Sequence, residues 1–239
     1  MTATMRGAAV NASRAGGRVV VQTVSKSYRL GETTVVALHR VSVEANPGEF
    51  VALVGPSGSG KTTLLHLIGG LDDPDAGQVS VDGRRVGMLS RRARADLRAT
   101  RIGFVFQFFS LLPVLTAYEN VEYPLLFRPG RTAERRERVT AMLERVGLAS
   151  YARHRPDQLS GGQQQRVAIA RALVTGAGLI LADEPTANLD SATGRSVVDL
   201  IEELRRERGA TFVLATHDES LLARASHVVR LRDGRRVPP

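Results

Sequence analysis

The 239-residue chain contains no cysteine. Disulfides, thiol nucleophiles and cysteine-ligated zinc are therefore excluded. Lysine is almost missing as well: only Lys26 and Lys61 occur, and every other basic residue is arginine. No apolar run reaches the roughly 20 residues of a membrane helix. The longest, Val167 to Ala182, is interrupted by Arg171, Thr175, Gly176 and Gly178, so the chain is expected not to cross a membrane. Neither a G-x-S-x-G elbow nor an H-E-x-x-H pair occurs, which leaves those enzyme classes without support. His39, His66, His154 and His227 have no metal-ligand spacing and are read as structural.

What is present fits an ordinary soluble protein, with 43% hydrophobic and 24% charged residues. The length suits one large domain or two small ones and can bury a core without covalent staples. Thirty-three basic against 24 acidic residues give a net charge of +9. Such a charge fits nucleic-acid binding, or a solvated surface beside anionic lipid. The arginine bias, with abundant alanine and glycine, looks like GC-rich coding, and nucleic-acid motifs are missing. The solvated reading is preferred and no specific nucleic acid is expected as partner. The densest basic run, Arg91, Arg92, Arg94, Arg98 and Arg101, opposed by Asp96, is read as a solvated helix face. Residues 1–18 show neither periodicity, an acidic residue nor the apolar stretch of a secretory signal, and are expected to form a flexible tail.

Arg18 to Val24 and Val35 to Val43 carry β-branched residues in alternation and are expected to pair as an exposed antiparallel sheet. Glu49 to Val54, Ile102 to Phe106, Leu179 to Ala182 and Thr211 to Ala215 are continuous apolar runs, as strands buried on both faces require. Helical patterns over Thr62 to Gly69, Gln163 to Val174 and Thr193 to Arg208 separate them. This alternation predicts an α/β fold with a mostly parallel sheet between helices. Asp233-Gly234 predicts a closing hairpin. Residues 108–162 contain helical patterns such as Ala133 to Val146 and no clear buried strand, and read as a helical insertion.

Gly55-Pro56-Ser57-Gly58-Ser59-Gly60-Lys61-Thr62 fits G-x-x-x-x-G-K-[ST]. The glycines let the backbone curl its N–H groups inward around an anion, and the following helix adds its positive end. Lys61 supplies a full charge for the β- and γ-phosphates, and Thr62 a hydroxyl for Mg²⁺. Gly55, Ser57, Gly58, Ser59, Gly60, Lys61, Thr62 and the adjoining Thr63 are the candidate triphosphate cradle. A glycine-rich turn with a chance lysine is the bland alternative, and the strand before and helix after it argue against that.

Leu179 to Asp183, followed by Glu184-Pro185, is an apolar strand ending in two carboxylates. Such strands deliver acids to the carboxyl edge of a sheet, where ligands bind. Asp183 is the candidate Mg²⁺ holder, through water, and Glu184 the candidate general base. A helix-capping pair is the alternative. Leu159-Ser160-Gly161-Gly162-Gln163 opens a further helix, and on its residues alone it reads as a plain serine cap.

LSGGQQQR at 159–166 resembles the signature of ATP-binding-cassette ATPases, and the remaining marks of that family follow in order. The resemblance covers residues 19–236 and implies a P-loop, RecA-like core over 19–107 and 163–236 with an antiparallel β subdomain. The 108–162 insertion is then a helical subdomain. It implies that Ser160, Gly161, Gly162 and Gln163 touch nucleotide, that Gln107 after FVF is a metal-contacting, coupling glutamine, and that Asp190 of Ala187-Asn188-Leu189-Asp190, which looks like the D-loop, also belongs to the nucleotide-binding set. His217 then senses the γ-phosphate, and Tyr28 of Lys26-Ser27-Tyr28 stacks on adenine. Residues 89–121 and DEPTANLD at 183–190 are similar to the ATPases of macrolide exporters, lipoprotein-release complexes and a cell-division complex.

This implies catalytic roles for Glu184, His217 and Gln107, with ATP and Mg²⁺ as cofactors and metal contacts from Thr62, Gln107 and Asp183. It implies two copies pairing head-to-tail around two ATP molecules, a separate membrane permease, and a peripheral place on the cytoplasmic side of the membrane. Phe108, Phe109, Leu111 and Leu112, beside Gln107, then either pack into the core or dock a permease helix. Thr62 stands where serine is commoner, and Gly176-Ala177-Gly178 lacks the usual proline. A soluble cassette ATPase acting on nucleic acid, a cell-envelope regulator without transport, and a catalytically dead module are the competing readings. Lys61, Asp183, Glu184 and His217, all present, oppose the last.

Overall fold

The computed structural model describes residues 16–238. Residues 1–15 of the expected tail lie outside the described residues. Its last three are seated on the domain, with the Gly17 N–H donating to the Gly178 carbonyl at 2.8 Å.

Two sheets form the frame. The smaller is antiparallel, in the order β2–β1–β4–β5, from β1 (Val19–Leu30), β2 (Thr33–Ala45), β4 (Ala76–Val81) and β5 (Arg84–Arg85). The first two strands are longer than the apolar runs that announce them, and one face is buried through Val19, Val21, Val41 and Val43. The larger sheet runs β10–β9–β3–β8–β7–β6. Its strands are β3 (Phe50–Val54), β6 (Ile102–Val105), β7 (Leu179–Asp183), β8 (Thr211–Ala215), β9 (His227–Arg232) and β10 (Arg235–Val237). All neighbours pair in parallel except β9 and β10. That last pair is joined through Asp233 and Gly234 at φ 49° and 71°, the two positive angles a tight hairpin turn demands.

Alternation explains why the apolar runs are continuous. Phe50 and Ala52, Ile180 and Ala182, and Phe212 and Leu214 enter one core. Val51 and Leu53, Leu179 and Leu181, and Val213 and Ala215 enter the other, on the opposite face. A strand covered on both sides needs apolar residues at every position. The first core holds α3 (Ala117–Glu122), α4 (Thr132–Arg145), α5 (Gly161–Leu173) and α6 (Ser191–Arg208); the second holds α1 (Lys61–Ile68) and α2 (Arg91–Arg101). Among the described residues no strand occurs between Val105 and Leu179.

The arginine run of α2 is less solvated than its composition predicts. Arg94 pairs with Asp73, Arg98 donates to the Gly70 carbonyl at 2.8 Å, and Arg101 pairs with Asp82. Only Arg91 and Arg92 keep the fully exposed character.

Candidate active site

Because β3, β8, β7 and β6 are parallel and in register, their carboxyl ends share one edge. Leu53 stands beside Ala215, Asp183 beside Ala215, and Val105 beside Ala182. Gly55, His217, Glu184 and Gln107 therefore leave the sheet at the same rim, although 162 residues separate the first from His217.

The phosphate loop is shaped by what its glycines exclude. A Cβ on Gly55 would lie 2.1 Å from the Leu231 carbonyl oxygen, and one on Gly60 would lie 2.4 Å from that of Ala37. Gly60 also sits at φ 99°, where a side chain is strained. Gly60 caps α1 without a side chain, so the first N–H groups of α1 are left for an anion. Lys61 Nζ turns back to the Gly55 and Pro56 carbonyls at 2.7 and 3.2 Å. The buried Ser59 hydroxyl has no hydrogen-bond partner among the described residues.

Thr62 Oγ1 donates to Asp183 Oδ2 at 2.7 Å. The two oxygens belong to chain segments 121 residues apart, and both are hard donors of the kind Mg²⁺ takes. Among the described residues no cluster of three or more acidic, histidine or cysteine side chains could hold a metal alone. The pair therefore fits Mg²⁺ held jointly with phosphate oxygens, its usual mode.

Glu184 follows at φ 48°, a left-handed conformation that a non-glycine residue keeps only where its surroundings impose it. Its N–H donates to the Ala215 carbonyl at 2.9 Å, which ties the turn to β8. Glu184 Oε2 lies 2.9 Å from His217 Nδ1, with side-chain exposures of 13% and 79%. Close as it is, the contact lacks hydrogen-bond alignment, and Oε2 remains buried without such a partner among the described residues. The carboxylate is thus shielded and the imidazole open to solvent, side by side at the rim.

The signature helix α5 begins with reciprocal capping. The Gln163 N–H donates to Ser160 Oγ at 3.3 Å, and the Ser160 N–H to Gln163 Oε1 at 2.8 Å. The serine cap read from the residues alone is present. Asp190 likewise caps α6, accepting from the Ala192 and Thr193 N–H groups at 3.0 Å each. Ser160, Gly162 and Gln163 line a depression of about 460 Å³ with Ala192, Thr193 and Ser196. No phosphate-loop residue, Asp183, Glu184 or His217 reaches it.

Residues 38–187, from β2 through the phosphate loop and signature to the turn after Glu184, match the family of ABC transporters. This chain belongs to that family. It is an ATP-binding cassette, the ATPase subunit type of such transporters. It is 50% identical over 218 residues to the lipoprotein-releasing system ATP-binding protein LolD of Pseudomonas syringae pv. tomato, covering 90% of this chain and 95% of that one. It is 50% identical, over 218 residues, to the macrolide export ATP-binding/permease protein MacB of Syntrophobacter fumaroxidans, but spans only 30% of that protein. It superimposes on the dimeric, post-hydrolysis structure of the cassette MJ0796 bound to ADP and Pi with a TM-score of 0.85. That match has 43% identity and covers 92% of this chain and 97% of the other. The α/β core with an antiparallel sheet and added helices is thus the ABC cassette fold.

Around the cassette's candidate site, Asp72 and Arg171 make contacts that no sequence signal pointed to. Tyr28 donates to Asp72 Oδ2 at 2.9 Å. Lys26 donates to Asp72 Oδ1 at 2.8 Å and lies 5.2 Å from the centre of the Tyr28 ring. Lys26 thereby covers one face of the ring and Asp72 fixes its tilt. Burial opposes the charge on Asp72, but the bonds from Lys26 and Tyr28 outweigh it and hold the carboxyl below the usual range. That stabilisation is present above the unfolded carboxylate pKa of about 3.9 and is lost as pH falls through the depressed value. Lys26→Ala is expected to raise the KM for ATP about 3- to 10-fold with kcat little changed, through loss of ring positioning. Steady-state kinetics check this.

Gln107 is half-buried at the end of β6, and the segment after it doubles back through Phe109 and Ser110 at φ 58° and 48°. Arg171 of α5 holds that bend, donating to the Phe109 and Ser110 carbonyls at 2.9 and 2.6 Å. The apolar group splits: Leu111 packs on the core, whereas Phe108 is 76% exposed. Arg171→Ala is expected to destabilise the cassette by about 1.5–3 kcal/mol, read as a lower denaturant midpoint. Buried Gln165 ties α5 to the turn after Glu184 by donating to the Pro185 carbonyl.

Proposed function

We propose that two copies of this cassette close around two molecules of ATP, hydrolyse them, and transmit the closure to a separate membrane permease. One observation carries the dimer: the depression lined by Ser160, Gly162 and Gln163 receives no residue of the same chain's phosphate loop. Signature and phosphate loop can meet the same nucleotide only if a second copy supplies the missing half. Lys61 and the open N–H groups of α1 hold the triphosphate, Tyr28 the base, and Ser160 and Gly162 of the opposite copy the γ-phosphate. Thr62 and Asp183, with Gln107 nearby, would hold Mg²⁺, which neutralises phosphate charge when bound. Glu184 takes the proton of the attacking water, and His217, exposed at its side, contacts the γ-phosphate. Loss of that phosphate removes the bridge between copies and lets them part.

The groove at the far side of β6 supports a membrane partner. It encloses about 700 Å³ between α2, β6 and the turn at 123–127, with Leu71, Phe104, Tyr123 and Phe127 among its walls. Leu71, Tyr123 and Phe127 are 47%, 41% and 66% exposed, an apolar surface suited to a short helix of a permease. No helix among the described residues is long and apolar enough to cross a membrane; the proposed permease is what holds the cassette at the cytoplasmic face. The test is size measurement of Glu184→Gln with Mg²⁺ and ATP. A dimer that reverts to monomer when nucleotide is removed is expected; a monomer at saturating ATP overturns the reading.

A further inference from the structure

Behind the 123–127 turn lies a smaller cavity of about 140 Å³, lined by Arg128, Arg131, Arg135 and Arg138, with Glu134 and Leu125 completing the wall. Four arginines line one space. Arg128 is anchored by donating to the Thr175 carbonyl, and Arg135 by Glu122 at 3.1 Å. Arg131 and Arg138 are exposed, and their side chains have no hydrogen-bond or ion-pair partner among the described residues. Burial, and behind it the charge of Arg138, push the Arg128 guanidinium below its ordinary value. Like charges are thus held together, with Glu134 in the wall and Glu122 bonded to Arg135 as the nearest opposing groups named by contact. The N-terminus of α4 opens at Thr132 without a side-chain cap and adds a positive end between them.

The surroundings indicate which anion. Leu126, two residues before Arg128 and outside the permease groove, is 53% exposed. Exposed apolar side chains beside clustered arginines form the surface that meets acyl chains and headgroups together. Arginine forks match phosphate oxygens two at a time. The cavity adjoins the proposed permease groove, because the 123–127 turn supplies wall residues to both.

We propose that this pocket binds a phosphate group, and that its source is an anionic phospholipid at the membrane beneath which the cassette works. The lipid source rests on the peripheral placement above; the pocket's affinity for phosphate does not. The test uses the full chain with its nucleotide site saturated by a non-hydrolysable ATP analogue. Co-sedimentation is measured with vesicles of phosphatidylcholine, with and without phosphatidylglycerol. Binding to the anionic vesicles alone is expected. Arg131→Ala/Arg138→Ala should weaken it on the order of tenfold or more. Arg84→Ala/Arg85→Ala, which removes equal charge from β5, should change it at most about twofold, a bound well inside one arginine's share. Arg131→Lys/Arg138→Lys, with charge kept and the fork lost, should fall between.

Inorganic phosphate, tested by thermal shift, separates the sources. A shift lost in the Arg131/Arg138 alanine variant, with no vesicle binding by the wild type, supports the pocket and overturns the lipid source. Equal behaviour of variant and wild type in both arms overturns the pocket. So does an equal loss in the Arg84/Arg85 control, which would reduce the effect to net charge. Neither arm involves turnover or a permease, so either result leaves the ATPase reading to its own test.

Discussion

Glu184→Gln is expected to slow ATP turnover by roughly 10²–10⁴-fold, the range of a lost general base, while leaving ATP affinity within a few fold. The amide is isosteric with the carboxylate but accepts no proton. Among the described residues Glu184 forms no hydrogen bond or ion pair with the phosphate loop; its close neighbour is His217 Nδ1 at 2.9 Å. The fold should survive, since the backbone bond from Glu184 to the Ala215 carbonyl does not use the side chain. The substitution also places an amide N–H₂ or carbonyl beside the buried Oε2 position, which has no hydrogen-bond partner to lose. Phosphate release measured beside equilibrium nucleotide binding checks both halves. Turnover within threefold of wild type would remove Glu184 from the role of base.

Lys61→Met should act on the other quantity. The stem is kept and the charge is lost. In the protein alone Lys61 Nζ is satisfied by the Gly55 and Pro56 carbonyls at 2.7 and 3.2 Å, partners that remain partly exposed to water. Stability should therefore change by less than about 1 kcal/mol. With ATP bound, the lost interactions are charge-assisted, about 1.5–3 kcal/mol each, or roughly 10- to 150-fold in affinity per bond. ATP-driven dimerisation fails with it at concentrations that saturate the wild type. Nucleotide titration and thermal melting read the two quantities separately. An unchanged Kd would show that the loop backbone alone grips the triphosphate.

Much of the fold was legible because burial on both faces writes itself as an unbroken apolar run. EFVALV and TFVLA needed no partner to be recognised as strands, and β8 begins and ends where its apolar run does. Strand β4, AGQVSV, went unread because small and polar residues dilute its alternation. The cradle was legible for a different reason: glycines at fixed spacing state a backbone shape, and Gly55 and Gly60 prove to stand where a Cβ would strike a carbonyl. Asp72 and Arg171 were unreadable. Their work depends on partners distant in sequence, Asp72 on Tyr28 and Arg171 on the Phe109 and Ser110 carbonyls.

The sequence by itself determined the local chemistry: a loop whose N–H groups must point inward, a lysine and a threonine opening a helix, and two carboxylates ending an apolar strand. Those follow from steric rules acting over a few neighbouring residues. Tertiary structure decided what meets what. Strand order brought Thr62 to Asp183 and Glu184 to His217. Periodicity along a chain carries no information about the order in which strands assemble, and that order sets every one of these meetings.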